Sequence, residues 1–283
     1  MPRRLIAFFV LTFVLSAGVP GSLLLLSAWS GTALSIGEFS PVSYAYVWAP
    51  AVSAFAVIAW TQGRSGVLAY ARRLLRWNVG WRCYAAVLLG VPLLNLLAAA
   101  LAEAAGRDAL RAPVLDGSFL VLALLRATEG PMEELGWRGF ALPLLQQRFS
   151  GLTAALILGF VWALWHVAPL LIGRSEIGGM TDGPAALQLL RLFIGVIATS
   201  VIMTALYNAA KGSIPVVMLF HWLANWPYPW ETGADISIIG NVLQVLAAVL
   251  VVVLFGRRWL GRKNLFTEVT PAVGPSGRRH DQD

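Results

Sequence analysis

The stretch Cys83–Glu103, CYAAVLLGVPLLNLLAAALAE, decides the fold class. Between Tyr84 and its closing Glu103 the only polar side chain is Asn95. A helix of about 20 residues reaches across the ~30 Å hydrocarbon core of a bilayer. Seven further apolar stretches of this kind flank it: Leu5–Trp29, Val42–Thr61, Phe119–Leu145, Leu152–Ile172, Ala186–Ala209, Ile214–Trp226 and Ile236–Phe255. The first contains Pro20, and the seventh is short enough to be re-entrant or tilted. None alternates polar and apolar residues as the strands of a membrane barrel do. The reading is therefore all-α, a polytopic membrane helical bundle of about eight transmembrane helices. Residues 1–266 form one transmembrane domain, followed by a disordered cytoplasmic tail over 267–283.

The composition agrees. Of 283 residues, 58% are hydrophobic and 12% charged. A soluble domain is about 25% charged. A soluble enzyme, a disordered chain and an ordinary nucleic-acid-binding domain are excluded. The single cysteine, Cys83, excludes a disulfide framework and a cysteine metal cluster. The net charge of +7 is read by topology instead. With eight spans, Arg3, Arg4, Arg64, Arg72, Arg73, Arg76, Arg82, Arg148, Lys211, Arg257, Arg258, Arg262, Lys263, Arg278 and Arg279 share the side of the termini. Only Arg107, Arg111 and Arg174 lie opposite. Both termini are expected in the cytoplasm. Arg3 and Arg4 before an apolar run resemble a signal peptide, but no clean cleavage site follows, so the first span is expected to be retained. Val67–Trp77 mixes Arg72, Arg73 and Arg76 with Leu68, Leu74 and Trp77, which suits an interfacial helix facing anionic lipid or a plain basic loop.

Charge inside a span costs at least ~2.5–3.5 kcal/mol on insertion scales, so such residues face protein or a watery cavity. Here they cluster. Glu129, Glu133, Glu134 and Arg138 lie in the fourth span, His166 in the fifth, and His221 and Asn225 in the seventh. Pro131 opens or kinks a helix. Glu134 and Arg138, four apart, can pair on one face. Glu133 points about 100° away from Glu134 and is left for a different task. Trp162 and His166 share a face by the same spacing, as do His221 and Asn225. Each group alone reads equally well as a buried ion pair or a core hydrogen bond. Together they hold a base, electrophilic donors and a place for water: the parts for hydrolysing a carbonyl compound. No H-E-x-x-H and no phosphate-binding G-x-x-x-x-G-K-[ST] occurs.

At these residues the chain resembles a known family. Glu133-Glu-Leu-Gly-Trp-Arg138 is similar to the E-E-x-x-x-R motif of the CPBP intramembrane proteases, also called the Abi family: CAAX prenyl endopeptidases and bacteriocin-processing relatives. Trp162-x-x-x-His166 resembles the second motif, [FW]-x-x-x-H, and His221-x-x-x-Asn225 the third, H-x-x-x-[ND]. The resemblance covers roughly Phe119–Trp226. It implies an intramembrane endopeptidase in which Glu133 activates water with help from His166. His221 and Asn225 would serve the oxyanion, and Glu134 and Arg138 would brace the site. The family is often described as a metalloprotease, so zinc on Glu133, His166 and His221 is an open reading beside a metal-free glutamate mechanism. The partners implied are membrane lipid and a peptide or membrane-protein substrate, with no nucleic acid. The location implied is an integral protein of a bacterial cell membrane. A non-enzymatic immunity or scaffold protein using the same polar core is the alternative. A transporter is disfavoured by the lack of an inverted repeat.

Overall fold

The computed structural model describes residues 2–31, 39–113, 115–171, 184–232 and 236–261. Fifteen helical segments follow one another among the described residues: α1 Pro2–Ser30, α2 Pro41–Val47, α3 Ala49–Arg72, a 3-10 turn Arg73–Leu75, α4 Trp81–Leu88, α5 Gly90–Ala104, α6 Gly117–Arg126, α7 Gly130–Glu133, a π-helical turn Trp137–Ala141, α8 Leu142–Gln146, α9 Gly151–Leu171, α10 Ala185–Ala209, α11 Ile214–Ala224, α12 Ser237–Phe255 and a closing turn Gly256–Leu260. Among the described residues there is no strand, only an isolated bridge between Leu110 and Glu231. The expected tail over 267–283 lies outside the described residues.

The helices carry apolar surface outward. Leu25, Trp29, Trp60, Leu75 and Val253 are largely exposed. A water-soluble fold rarely leaves so much large apolar surface uncovered. Four helices are long and apolar enough to cross a membrane: Arg3–Ser30, Trp81–Ala104, Ala186–Ala209 and Ile238–Leu260. Pro41–Val47 with Ala49–Leu75, bent by 49°, makes a fifth. Gly151–Val167 and Ile214–Ala224 are shorter apolar helices. The molecule is an all-α integral membrane protein. All eight apolar stretches contain helix, but length and composition alone qualify four of the described helices as spans, or five with the bent pair.

Two stretches are more broken than the sequence suggests. Phe119–Leu145 is interrupted at Pro131, as expected, and again after Glu133. It is divided into α6, α7, the π-helical turn and α8. Pro131 opens α7 and Pro143 lies in the first turn of α8, where a missing N–H costs nothing. Between them Gly139 N–H donates to the Glu134 carbonyl (2.7 Å) and Ala141 N–H to the Gly136 carbonyl (2.9 Å), which are i→i+5 bonds. Such π turns sit preferentially at functional sites. Second, Val67–Trp77 lies beyond a break in α3 at Gly63, whose φ of 63° is a conformation that glycine adopts without strain. Helix runs on to Arg72 and a 3-10 turn covers Arg73–Leu75.

Close crossings fix the divided segment in place. A Cβ on Gly136 would lie 2.6 Å from the Pro50 carbonyl carbon, so this turn rides directly on α3. The Tyr70 hydroxyl donates to the Leu135 carbonyl. On the other side, α9 packs on α10, where a Cβ on Gly159 would meet Ser200 Cβ at 2.8 Å and Ile197 Cα at 3.0 Å. Small residues let membrane helices approach this closely. The Ser200 hydroxyl donates to the Ala155 carbonyl across the same contact (2.9 Å).

Candidate active site

The divided segment delivers four polar side chains to the interior. Glu129, Glu133, Glu134 and Arg138 are all buried. Glu129 leaves the group. Its Oε1 accepts from the Ser43 hydroxyl (2.6 Å) and the Phe39 N–H (3.0 Å), tying the start of α7 to α2. Glu134 Oε1 accepts from Arg138 (3.0 Å) and from His221 Nδ1 (2.8 Å). Glu133 Oε2 instead accepts the Trp162 indole N–H at 2.9 Å. The two adjacent glutamates therefore face different partners.

Trp162 is the hub of this arrangement. Its ring lies 4.1 Å from the Arg138 guanidinium carbon, a cation–π contact in a dry setting. Its backbone carbonyl accepts from His166 Nδ1 at 2.8 Å. The rings of His166 and His221 pack edge-on against it, at 5.4 and 5.7 Å. A carbonyl can only accept, so His166 carries its proton on Nδ1, which leaves Nε2 as a lone pair in the neutral ring. The carboxylate of Glu134 orients His221 in the same way.

Gly130 completes the site. A Cβ there would fall 2.6 Å from His221 Nε2 and would also clash with Asn225 Nδ2. The missing side chain lets α7 approach the end of α11, where Asn225 is the C-cap. Sequence reasoning did not single out Gly130, although a glycine immediately before Pro131 in a polar span was its visible sign. A cleft of about 240 Å³ opens here, lined by Trp162, His166, His221 and Asn225 together with Arg191, Asn241 and Gln244. Arg191 is buried, and its NH1 has no hydrogen-bond partner. Its carbonyl accepts from the Asn241 amide (3.1 Å). Sequence reasoning does not join Arg191 to the site, because nothing in the spacing links α10 to α9 and α11.

Among the described residues no group of three or more His, Cys, Asp and Glu is arranged so as to hold a metal ion. Glu133 is bonded through Oε2, and both histidines use Nδ1 on other partners while keeping Nε2, as metal-ligating histidines do. Zinc on Glu133, His166 and His221 therefore stays a proposal beside the metal-free one.

The structure defines a class: an integral membrane protein with a carboxylate–histidine–arginine network enclosed between three segments. Residues 116–227 match the family described as Type II CAAX prenyl endopeptidase Rce1-like. The same chain is similar to CAAX prenyl protease 2 of Methanococcus maripaludis, with 34% identity over 106 residues, covering 38% of this chain and 38% of that protein. Residues 116–227 are thus the part of the chain that is similar to this family, and the chain spans well under half the length of the curated relative it matches. This segment contains Glu133, Glu134, Arg138, His166, His221 and Asn225.

Proposed function

We propose that this chain is an intramembrane endopeptidase that hydrolyses a peptide bond near the membrane with water activated by Glu133. One observation carries the reading. Three segments far apart in sequence meet in two bonded groups, Trp162–Glu133 and Arg138–Glu134–His221, joined by the Arg138–Trp162 ring contact beside a cleft that reaches His166 and Asn225. Building such a network costs burial of several charged groups, which packing alone rarely repays. The family match supports the same reading.

In this mechanism Trp162 holds one oxygen of Glu133, and the other takes a proton from the attacking water. The His166 Nε2 lone pair accepts the water's second hydrogen and sets its orientation. The water oxygen bonds to the carbonyl carbon of the substrate. The carbonyl oxygen takes up negative charge facing the Asn225 amide donor, and His221 serves the same oxyanion when its Nε2 carries a proton. Glu133 then passes its proton to the leaving nitrogen as the C–N bond breaks. Glu134 and Arg138 do not touch the reacting atoms. Glu134 fixes the His221 ring, and Arg138 neutralises Glu134 and seats Trp162. Glu134 Oε2, Arg138 Nε and Arg138 NH2 are buried without a hydrogen-bond partner.

The substrate is a peptide segment reaching the cleft from the membrane, and a prenylated C-terminal peptide is the first to try, from the name of the archaeal relative. Both termini lie in the cytoplasm on this reading. The gathering of Arg4 with Arg72, Arg73 and Arg76 around one cavity supports a shared side for them. The test is a cleavage assay on purified protein in vesicles, with prenylated and unprenylated peptides. Wild type is expected to cleave at least one. His166→Gln is expected to lose about 10²–10⁴-fold, as for removal of a positioned acid–base group. Motif variants that behave like wild type, or the lack of any cleavage, would favour the non-enzymatic immunity or scaffold role.

A further inference from the structure

A second cavity, of about 230 Å³, lies where α1 begins and α3 ends. Four arginines line it: Arg4, Arg72, Arg73 and Arg76. No carboxylate does, among the described residues. Like charges gathered in a concave site repel one another unless an anion joins them. Arg73 is the deepest. Its NH1 donates to the Gly139 carbonyl (2.7 Å) and its NH2 to the Tyr207 hydroxyl (2.8 Å). Its Nε is buried with no hydrogen-bond partner. Arg4 is half-buried, and Arg72 and Arg76 are exposed, so three solvent-reaching arginines surround a buried fourth. Leu75 and Trp77 beside the cavity and Trp81 at the start of α4 are exposed, as residues at a membrane–water boundary are.

We propose that this cavity binds a phosphate oxyanion, supplied by the headgroup of an anionic phospholipid or by free phosphate. Planar guanidinium forks match phosphate oxygens in pairs. Basic pockets between membrane helices on the cytoplasmic side take anionic headgroups for this reason. The cavity is also walled by Gly139, Phe140 and Pro143, which follow directly on Arg138. An anion there bonds Arg73 more firmly, and Arg73 holds the π-helical turn through Gly139. Occupancy therefore stiffens the segment that carries Glu133, Glu134 and Arg138. The binding itself does not depend on the chain being a peptidase.

The test uses the full chain purified in detergent. Lipid retention is measured by native mass spectrometry, and thermal unfolding is followed in parallel, with phosphatidylglycerol, phosphatidylcholine or inorganic phosphate added. Phosphatidylglycerol is expected to be retained and to raise the melting temperature, and phosphatidylcholine to do neither. Arg72→Gln and Arg76→Gln, both at exposed positions that spare the fold, are expected to weaken retention about fivefold each. The matched pair Arg64→Gln and Arg148→Gln, outside the cavity, is expected to leave it unchanged. An equal stabilisation by millimolar phosphate, lost in the same two variants, also supports the site and assigns it to the free ion. Equal retention in cavity variants and wild type, or equal loss in the outside pair, would overturn the proposal.

Discussion

Two apolar regions of similar length fold differently. Ala185–Ala209 runs as one unbroken helix of 25 residues. Residues 117–146 are cut into four short pieces. The continuous helix serves packing, through Gly159 of α9 against its Ser200 and Ile197. The divided region serves polarity. Between its breaks at Gly130-Pro131 and at the π-helical turn it sets Glu133 on Trp162 and Glu134 on Arg138 and His221. Irregular backbone at membrane depth is tolerated where protein encloses it or a cavity lies beside it. Both conditions hold here.

The comparison can be broken from either side. The largest effect is expected from Arg138→Met. It leaves Glu134 buried at one partner fewer, and removal of one member of such a pair costs about 3–5 kcal/mol. Thermal unfolding in detergent should show it, with much of the folded population lost. Next is Gly130→Ala. The added methyl group must displace His221 and Asn225, a shift of the order that costs about 100-fold in rate. The melting temperature should change little, so the loss appears in kcat alone. Gly159→Val reverses this pattern. It overpacks α9 against α10, costing about 1–3 kcal/mol, while the folded fraction keeps its kcat. If Gly159→Val lowered kcat and Gly130→Ala lowered only stability, the division of labour between the two regions would be wrong.

The smallest effect concerns the loop after α11. Burial raises the Glu231 carboxyl above the ordinary carboxylate range, and the hydrogen bond from Asn95 partly opposes the shift. The folded chain then holds that proton more tightly than the unfolded chain. Stability is therefore lost as pH rises from the ordinary carboxylate range through the raised value. Glu231→Gln should flatten this dependence in a series of melting curves, without altering the pH response of the catalytic rate.

Much of the candidate site was legible because charge is rare in apolar sequence. Glu133, Glu134, Arg138, His166, His221 and Asn225 stood out for that reason alone. Their local spacings also carried geometry: the structure shows Glu134 bonded to Arg138 and the His166 ring against Trp162. What spacing cannot carry is contact between segments. The bond from His221 to Glu134 joins residues 87 apart, and that from Trp162 to Glu133 joins residues 29 apart. Arg191 was hidden for the same reason. The broken fourth span was half visible, in Pro131 and Pro143. The π-helical turn was not, because its i→i+5 bonds depend on Gly136 and Gly139 being pressed against α3 and α11, and on their having no Cβ. Metal ligation could not be read from residue types either. The same Glu and His set, with Nε2 turned inward, serves a zinc site or a metal-free water-activating site.

The central claim is that Glu133 activates water within this divided region. It is tested most directly by cleaving a prenylated or unprenylated peptide in water enriched in oxygen-18, with wild-type and Glu133→Gln protein side by side in vesicles. The account expects one heavy oxygen in the newly formed C-terminal carboxylate with wild type, and product from Glu133→Gln reduced about 10²–10⁴-fold. Cleavage by Glu133→Gln at the wild-type rate, or a wild-type product without the label, would contradict it.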